Sequence, residues 1–206
     1  MSSPVFALHT VLFPGQQMAL RVFEERYLLM MEDVLPQSAF VVVAIRKGQE
    51  VAGPYEAHRV GVTVHIEDYE LDEDGTYVLR IAGGDRVALI AQESWTPYPR
   101  WRVEPFPDEG GAGTDDVEAA AAALRSYLLA SGEAEAVPSI STEPVKASFA
   151  LAAATPALIP QRQELLEVPS AGERLRMVSE IFQREASLMR ALGAGVGGTD
   201  LHVNPN

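Results

Sequence analysis

An α+β fold, strand-rich up to residue 106 and helical from residue 115, follows from three observations. Short β-branched and aromatic runs separated by turn signals fill the first half. The glycine- and proline-rich stretch Pro105-Phe-Pro-Asp-Glu-Gly-Gly-Ala-Gly-Thr114 then reads as a flexible linker by composition. Beyond it, alanine, leucine, glutamate and arginine recur at helical spacing. The expected organisation is a β-rich domain over 1–106, a linker over 107–114, a helical subdomain over 115–192 and a disordered tail over 193–206.

The elements follow in order. Strands are predicted at 5–13, 40–45, 60–66, 77–81 and 87–91, with a further candidate at 101–104. In Val60-Gly-Val-Thr-Val-His-Ile66 the apolar residues fall on every second position, as in a strand buried on one face. Asp72-Glu-Asp-Gly75 reads as a hairpin turn in which Gly75 takes positive φ. Between the first two strands, Tyr27, Leu28, Met31, Val34 and Leu35 recur at three and four residues, which predicts an amphipathic helix over 24–35. Helices are predicted at about 115–131, 143–154, 160–167 and 171–192. The last opens on Ser170-Ala-Gly-Glu173, which fits a capping box, and carries an apolar stripe of Leu175, Val178, Phe182, Met189 and Leu192. The glycines from Gly193 to Gly198 are expected to end it.

Composition narrows the function classes. With 16 basic and 29 acidic residues the net charge is −13. Nine basic and fifteen acidic residues give residues 1–106 a net −6; seven and fourteen give 107–206 a net −7. Neither half has the basic footprint that binding phosphates requires, so no nucleic-acid partner is expected. No run of 18 apolar residues exists and the N-terminus lacks a secretion signal, so no membrane partner is expected and the expected location is cytoplasmic. The absence of cysteine excludes disulfides, zinc-thiolate sites and cysteine nucleophiles.

The catalytic templates fail one by one. G-x-S-x-G, H-E-x-x-H and the P-loop are all missing. His9, His58, His65 and His202 have no ligand-like spacing, and His9 and His65 fall within predicted strands, where structural or surface roles suffice. Gly193, Gly195 and Gly198 match G-x-G-x-x-G literally, but a dinucleotide fingerprint follows a strand and opens a helix, and this one follows a helix. Asp72-Glu-Asp74 and Asp115-Asp116 are explained by a turn tip and a helix N-terminus. No catalysis, metal or cofactor is expected.

Val5-Phe-Ala-Leu-His-Thr-Val-Leu-Phe-Pro-Gly15 followed by Met18-Ala-Leu-Arg-Val-Phe-Glu-Glu-Arg-Tyr27 resembles the opening of the N-terminal domain of Lon proteases. The matching residues are Val11, Leu12, Phe13, Pro14, Gly15, Leu20, Phe23, Glu24, Arg26 and Tyr27. Leu79, Gly83, Arg86 and Val87 meet a second signature, a strand running into G-x-x-R. The stretch 147–192, with Gln163-Glu-Leu-Leu-Glu167 and Glu173-Arg-Leu175, resembles the family's helical part. The resemblance implies a PUA-like β pseudo-barrel followed by a helical bundle with a long final helix. It also implies a short apolar strand at Met18, and a substrate-recognition domain standing alone, without the ATPase and protease parts.

The function implied is a non-catalytic module that binds exposed apolar segments of unfolded or tagged proteins, on the β part and the cleft toward the helices. Phe13, Phe23, Tyr27, Arg86 and Trp101 are the candidate binding residues. For Phe13, Pro14, Phe23 and Tyr27, core and turn roles are the favoured reading over direct ligand contact; Gly83 then supplies a turn and Arg86 a fixing hydrogen bond. Two alternatives stand beside this reading. One is a regulator that associates with a full-length Lon protease or forms a homo-oligomer through its last helix. The other is a small-ligand sensor with a pocket lined by Trp95, Tyr98 and Trp101.

Overall fold

The computed structural model describes residues 2–35, 39–51, 54–133 and 140–196. Six strands and five helices follow one another in it: β1 (Ser2–Leu8), β2 (Gln17–Val22), α1 (Glu25–Val34), β3 (Ala39–Gly48), β4 (Tyr55–Leu71), β5 (Tyr77–Ser94), β6 (Arg100–Pro105), α2 (Thr114–Ser131), α3 (Pro144–Ala153), α4 (Ile159–Glu167) and α5 (Ala171–Val196). The strands run in the order β2-β5-β4-β3-β1-β6, and a further pairing of β5 with β6 closes the last five into a ring. That closure is the barrel expected from the sequence resemblance. β1 pairs parallel with β3, and every other pairing is antiparallel. No helix among the described residues is long and apolar enough to cross a membrane.

Three apolar clusters fill the molecule. Val5, Ala7, Val41, Val43, Ile45, Val87, Leu89 and Val103 form one of them, on β1, β3, β5 and β6. A second joins Tyr27, Met30, Met31 and Val34 of α1 to Phe6, Leu20, Val42, Leu79 and Ile81 of the strands. The third spans both halves: Phe13, Val60 and Val62 pack with Leu124, Phe149, Leu165, Leu175, Val178 and Phe182. Burial on this scale, at about 25 cal/mol per Å2 of apolar surface, is what joins helices to barrel.

Several expectations change in the folded chain. The strand expected at 5–13 ends at Leu8, its last partner being Ala44. Val11, Leu12 and Phe13 are buried all the same, in a loop where Phe13 N–H donates to Gln16 Oε1 at 3.1 Å. An apolar run reports burial, not backbone shape. His9 therefore lies past β1 in a bend, and its N–H donates to Glu50.

The strands expected at 77–81 and 87–91 are one strand, and Gly83 lies inside it rather than in a turn. What requires glycine there is close approach, since a Cβ would lie 2.3 Å from the carbonyl oxygen of Phe13. Gly75 does take the left-handed conformation, at φ +82°, in the hairpin turn.

α5 continues through Gly193 and Gly195 to Val196; the expected tail from 197 onward lies outside the described residues. Of its apolar stripe, Leu175, Val178 and Phe182 are buried, whereas Leu192 is 73% exposed because the last turns run beyond the shared core. At the helix start Ser170 Oγ accepts from Glu173 N–H at 3.4 Å, one half of the expected capping box.

The stretch between β6 and α2 is held at several points. Phe106 N–H donates to Arg86 O at 3.0 Å and Glu109 N–H to Pro169 O at 2.9 Å. Ser170 Oγ donates to Gly110 O at 3.3 Å.

Candidate functional site

A cleft of about 1020 Å3 opens between the barrel and α3. Pro14, Gly15 and Gln16 and the middle of β5, Gly83 to Arg86, form one wall. Val145, Lys146, Phe149 and Ala150 of α3 form the other, and Pro105, Phe106, Pro107 and Asp108 line the seam between them. Pro144 at the first turn of α3 suits a helix start, where its missing N–H costs nothing. Most of this lining is apolar. The rim carries exposed Asp85 and a Glu143–Lys146 pair at 2.6 Å.

Two buried arginines hold the walls together. Arg86 on β5 donates from Nη1 to Leu166 O at 2.6 Å and Val168 O at 2.7 Å, and from Nη2 to Pro107 O at 3.3 Å. Arg174 on α5 donates to Leu165 O at 3.0 Å, Val168 O at 2.7 Å and Ser148 Oγ at 2.6 Å. Asp108 lies between them, 3.2 Å from Arg86 and 2.6 Å from Arg174. The carbonyls of Leu165 and Leu166 belong to the C-terminal end of α4, where the helix leaves them without internal donors and the dipole is negative. Both guanidiniums lie near the Phe149 ring, at 5.3 and 3.9 Å from its centre, and Arg86 also lies 4.7 Å from that of Phe106.

Burial pulls Arg86 down to about 10, with Asp108 pulling it back and Arg174 lowering it further. Arg174 is lowered by burial and supported by Asp108. Both remain cationic at neutral pH. Asp108 thus turns the seam from a free connection into a clamp between barrel and helices.

A second hollow of about 630 Å3 lies toward the C-terminal end of β5, lined by Tyr55, Trp95, Trp101, Gln92, Arg59 and neighbours. Trp95 packs edge-on against Tyr55 at 5.4 Å, and Arg59 stands 5.7 Å over Trp101, whose buried indole N–H has no partner among the described residues. Tyr98, expected beside these tryptophans, turns elsewhere: its hydroxyl donates to Asp33 at 2.6 Å and accepts from Arg100 at 3.0 Å. Burial, then the bond to Asp33, pushes its phenol pKa up.

The five residues singled out in the sequence are dispersed. Phe13 is fully buried beneath Arg162, 5.0 Å from its ring centre. Tyr27 is buried, stacked on Phe6 at 4.0 Å, with its phenol pushed up by burial. Neither side chain offers a face to a ligand. Phe23 is 55% exposed just past β2, outside both hollows, and Trp101 belongs to the second hollow. Arg86 alone of the five borders the cleft, with the fixing role that the motif suggested.

Sequence reading missed Asp108, Phe106, Phe149 and Arg174. Phe106 sits between two prolines in a segment with no other large apolar residue, and Arg174 lies within the Glu173-Arg-Leu175 element of the resemblance. Those two signals were available. Among the described residues no three histidine or carboxylate side chains come together to hold a metal ion.

Comparison with known proteins agrees with this architecture. The chain is 24% identical over 200 residues to a Lon protease of Anaeromyxobacter dehalogenans, covering 91% of this chain and 24% of that protein. It is 26% identical over 196 residues to a Lon protease 2 of Herpetosiphon aurantiacus, with coverage of 90% and 24%. The chain therefore spans about a quarter of the length of these curated relatives.

Among solved structures, a Lon N-terminal domain protein from Xanthomonas campestris superposes with a TM-score of 0.65 at 28% identity, covering 86% of this chain and 96% of that one. The N-terminal domain of a Mycobacterium avium complex Lon protease gives 0.62 at 18% identity, with coverage of 88% and 98%, a likeness of fold. The model of the ATP-dependent protease La (LON) substrate-binding domain matches residues 2–184, and the chain belongs to that family.

Proposed function

We propose that this chain is a non-catalytic recognition module that takes exposed apolar segments of unfolded or tagged polypeptides into the cleft between barrel and α3. The observation that carries this is the lining: Pro14, Phe106, Pro107, Val145 and Ala150 meet in one opening, above a floor fixed by Arg86 and Arg174. Apolar area gathered in a concavity is what a flexible apolar segment can bury against, and a charged rim limits promiscuity. The substrate-binding family supports the same role.

Ordering a flexible segment consumes much of the contact energy, so micromolar dissociation constants, about −8 kcal/mol, are the expected scale. The test is a fluorescence titration of a reduced, alkylated model protein against its folded form, with wild type and Ala150→Asp. The reading expects binding of the unfolded form alone, little dependence on salt, and weakening by the substitution. Equal binding of folded and unfolded forms, or of neither, overturns it. The purified protein is also expected neither to hydrolyse ATP nor to degrade casein.

A second reading, a small-ligand sensor, draws on the hollow at Trp95 and Trp101 and the unpartnered indole N–H of Trp101. Association with a protease partner or with itself draws on Leu129, Leu188 and Leu192, all at least half exposed toward the C-terminal ends of α2 and α5. Wild type that binds no unfolded protein but takes up a small aromatic probe, with affinity lost in Trp95→Ala, favours the sensor. Client binding absent while self-association is present favours the third.

A further inference from the structure

Among the described residues, β2 has a neighbour on one side only. It pairs with β5 from Gln17↔Ala82 to Val22↔Tyr77, and no described residue pairs with its other edge. A free edge is a row of backbone N–H and C=O groups ready to accept another chain, and proteins commonly blunt such edges with charge, proline or a bulge.

A neighbouring edge, likewise unpaired among the described residues, is blunted in that way. β3 accompanies β4 as far as Ala39↔His65. The residues beyond include Glu67, Asp68 and Glu70, with a register shift between Ile66 and Asp68. β2, by contrast, is Gln-Met-Ala-Leu-Arg-Val, with no proline and no register shift. Its one charge, Arg21, is engaged with Asp72 at 3.7 Å.

Position and pattern agree with an open edge. Gln16, on the wall of the cleft, immediately precedes β2, so a segment leaving the cleft on that side meets the strand directly. Leu20 and Val22 are buried and Met18 is half-buried, so every second residue of an added strand would extend the same apolar row. Exposed Phe23 stands at the far end of it.

We propose that the outer edge of β2 accepts an extended apolar stretch of a client polypeptide as an added strand, continuous with the cleft. The inference rests on the reading of the cleft as a client site. A second copy of this chain is the poorer occupant. β2 has six residues, a length of about 20 Å. Two such strands edge to edge bury far less than the roughly 1,200 Å2 of a specific interface. In strand addition the backbone supplies affinity and alternate side chains supply selectivity, which suits clients related by no common sequence.

The experiment uses the full chain and a fluorescein-labelled, end-capped octapeptide of alternating valine and threonine. Two derivatives are N-methylated, one on every valine and the other on every threonine. Alternate residues of a strand direct their N–H groups to opposite edges, so only one derivative loses the bonds to β2. The expected result is a loss of at least about tenfold for one derivative and near-parent affinity for the other, a difference of about 1.4 kcal/mol.

Equal affinities for the two derivatives overturn the edge, and if the unfolded model protein still binds, the cleft reading survives without it. No binding of either probe overturns both. Sedimentation showing a dimer that the peptide dissociates assigns the edge to a second copy and overturns the client as its occupant.

Discussion

The cleft and the tryptophan hollow both border β5, yet arginines serve them in opposite ways. At the cleft, Arg86 and Arg174 are buried and donate to backbone carbonyls, the Ser148 hydroxyl and one shared carboxylate. At the hollow, Arg46 and Arg59 are exposed; Arg46 pairs with Glu56 at 2.5 Å and Arg59 donates to Leu89 O at 3.3 Å. Buried charge fixes the relative position of barrel, seam and helices, whereas exposed charge decorates a rim that water already satisfies. The first arrangement builds a rigid floor beneath an apolar opening, and the second builds a wet basin with aromatic sides.

The largest expected effect tests that contrast directly. Asp108→Ala leaves two buried guanidiniums without their carboxylate and is expected to cost about 3–5 kcal/mol. Arg46→Ala is expected to cost under about 1 kcal/mol. Urea unfolding of both variants makes the comparison, and equal losses would erase it. In Asp108→Ala, limited proteolysis is also expected to cut first within residues 105–114, which wild type holds through Asp108, Glu109 and Gly110.

Next in size is the β5 wall of the cleft. Gly83→Ala drives a Cβ against the Phe13 carbonyl and is expected to destabilise by about 1–3 kcal/mol. At Gly75 nothing stands within 4 Å, and only the positive φ opposes a side chain. Gly75→Ala is therefore expected to cost about 1 kcal/mol or less. A larger loss at Gly75 than at Gly83 would mean that the wall can give.

Recognition separates the concavities at smaller cost. Ala150→Asp is expected to weaken binding of the unfolded model protein about tenfold, or 1.4 kcal/mol. Trp95→Ala is expected to leave that affinity unchanged. Matched melting temperatures show that both variants remain folded, and the reverse pattern would move the client site to the hollow.

The smallest effect belongs to His58 at the hollow. Burial lowers its pKa below 6.5, against Glu167 at 3.8 Å, which raises it. The folded chain then holds that proton less firmly than the unfolded chain. Its contribution to stability is complete above pH 6.5 and declines as pH falls through that value. A small fall in melting temperature between pH 7 and 5 is expected, reduced in His58→Gln. An unchanged slope in that variant removes His58 as its source.

Periodicity could place α1, β4 and the buried part of α5 because each presents one apolar face at a fixed spacing. It could not separate β1 from the buried loop that follows, since Val11 and Phe13 are as apolar as a strand interior. Nor could it join the two halves of β5 across Gly83-Gly84, where glycine looks like a turn and is in fact a close crossing. At the site, Arg86 was legible through its motif. Asp108 was not, because one aspartate in a Pro-Phe-Pro-Asp stretch is indistinguishable from a solvated linker charge until two arginines from distant elements meet it.

By itself, then, the sequence determined the α+β division, the family opening from Val5 to Tyr27, the acidic character of both halves and the absence of catalytic templates. These are properties of composition and local order, which short-range spacing and residue type carry in full. Only the tertiary structure decided that Phe13 and Tyr27 are core and that Asp108 is a clamp. It also decided that the apolar opening lies against α3 and that β2 has no second neighbour among the described residues. Each of those depends on which residues far apart in the chain share a surface, and burial, pairing and an unpaired edge exist only once that packing is made.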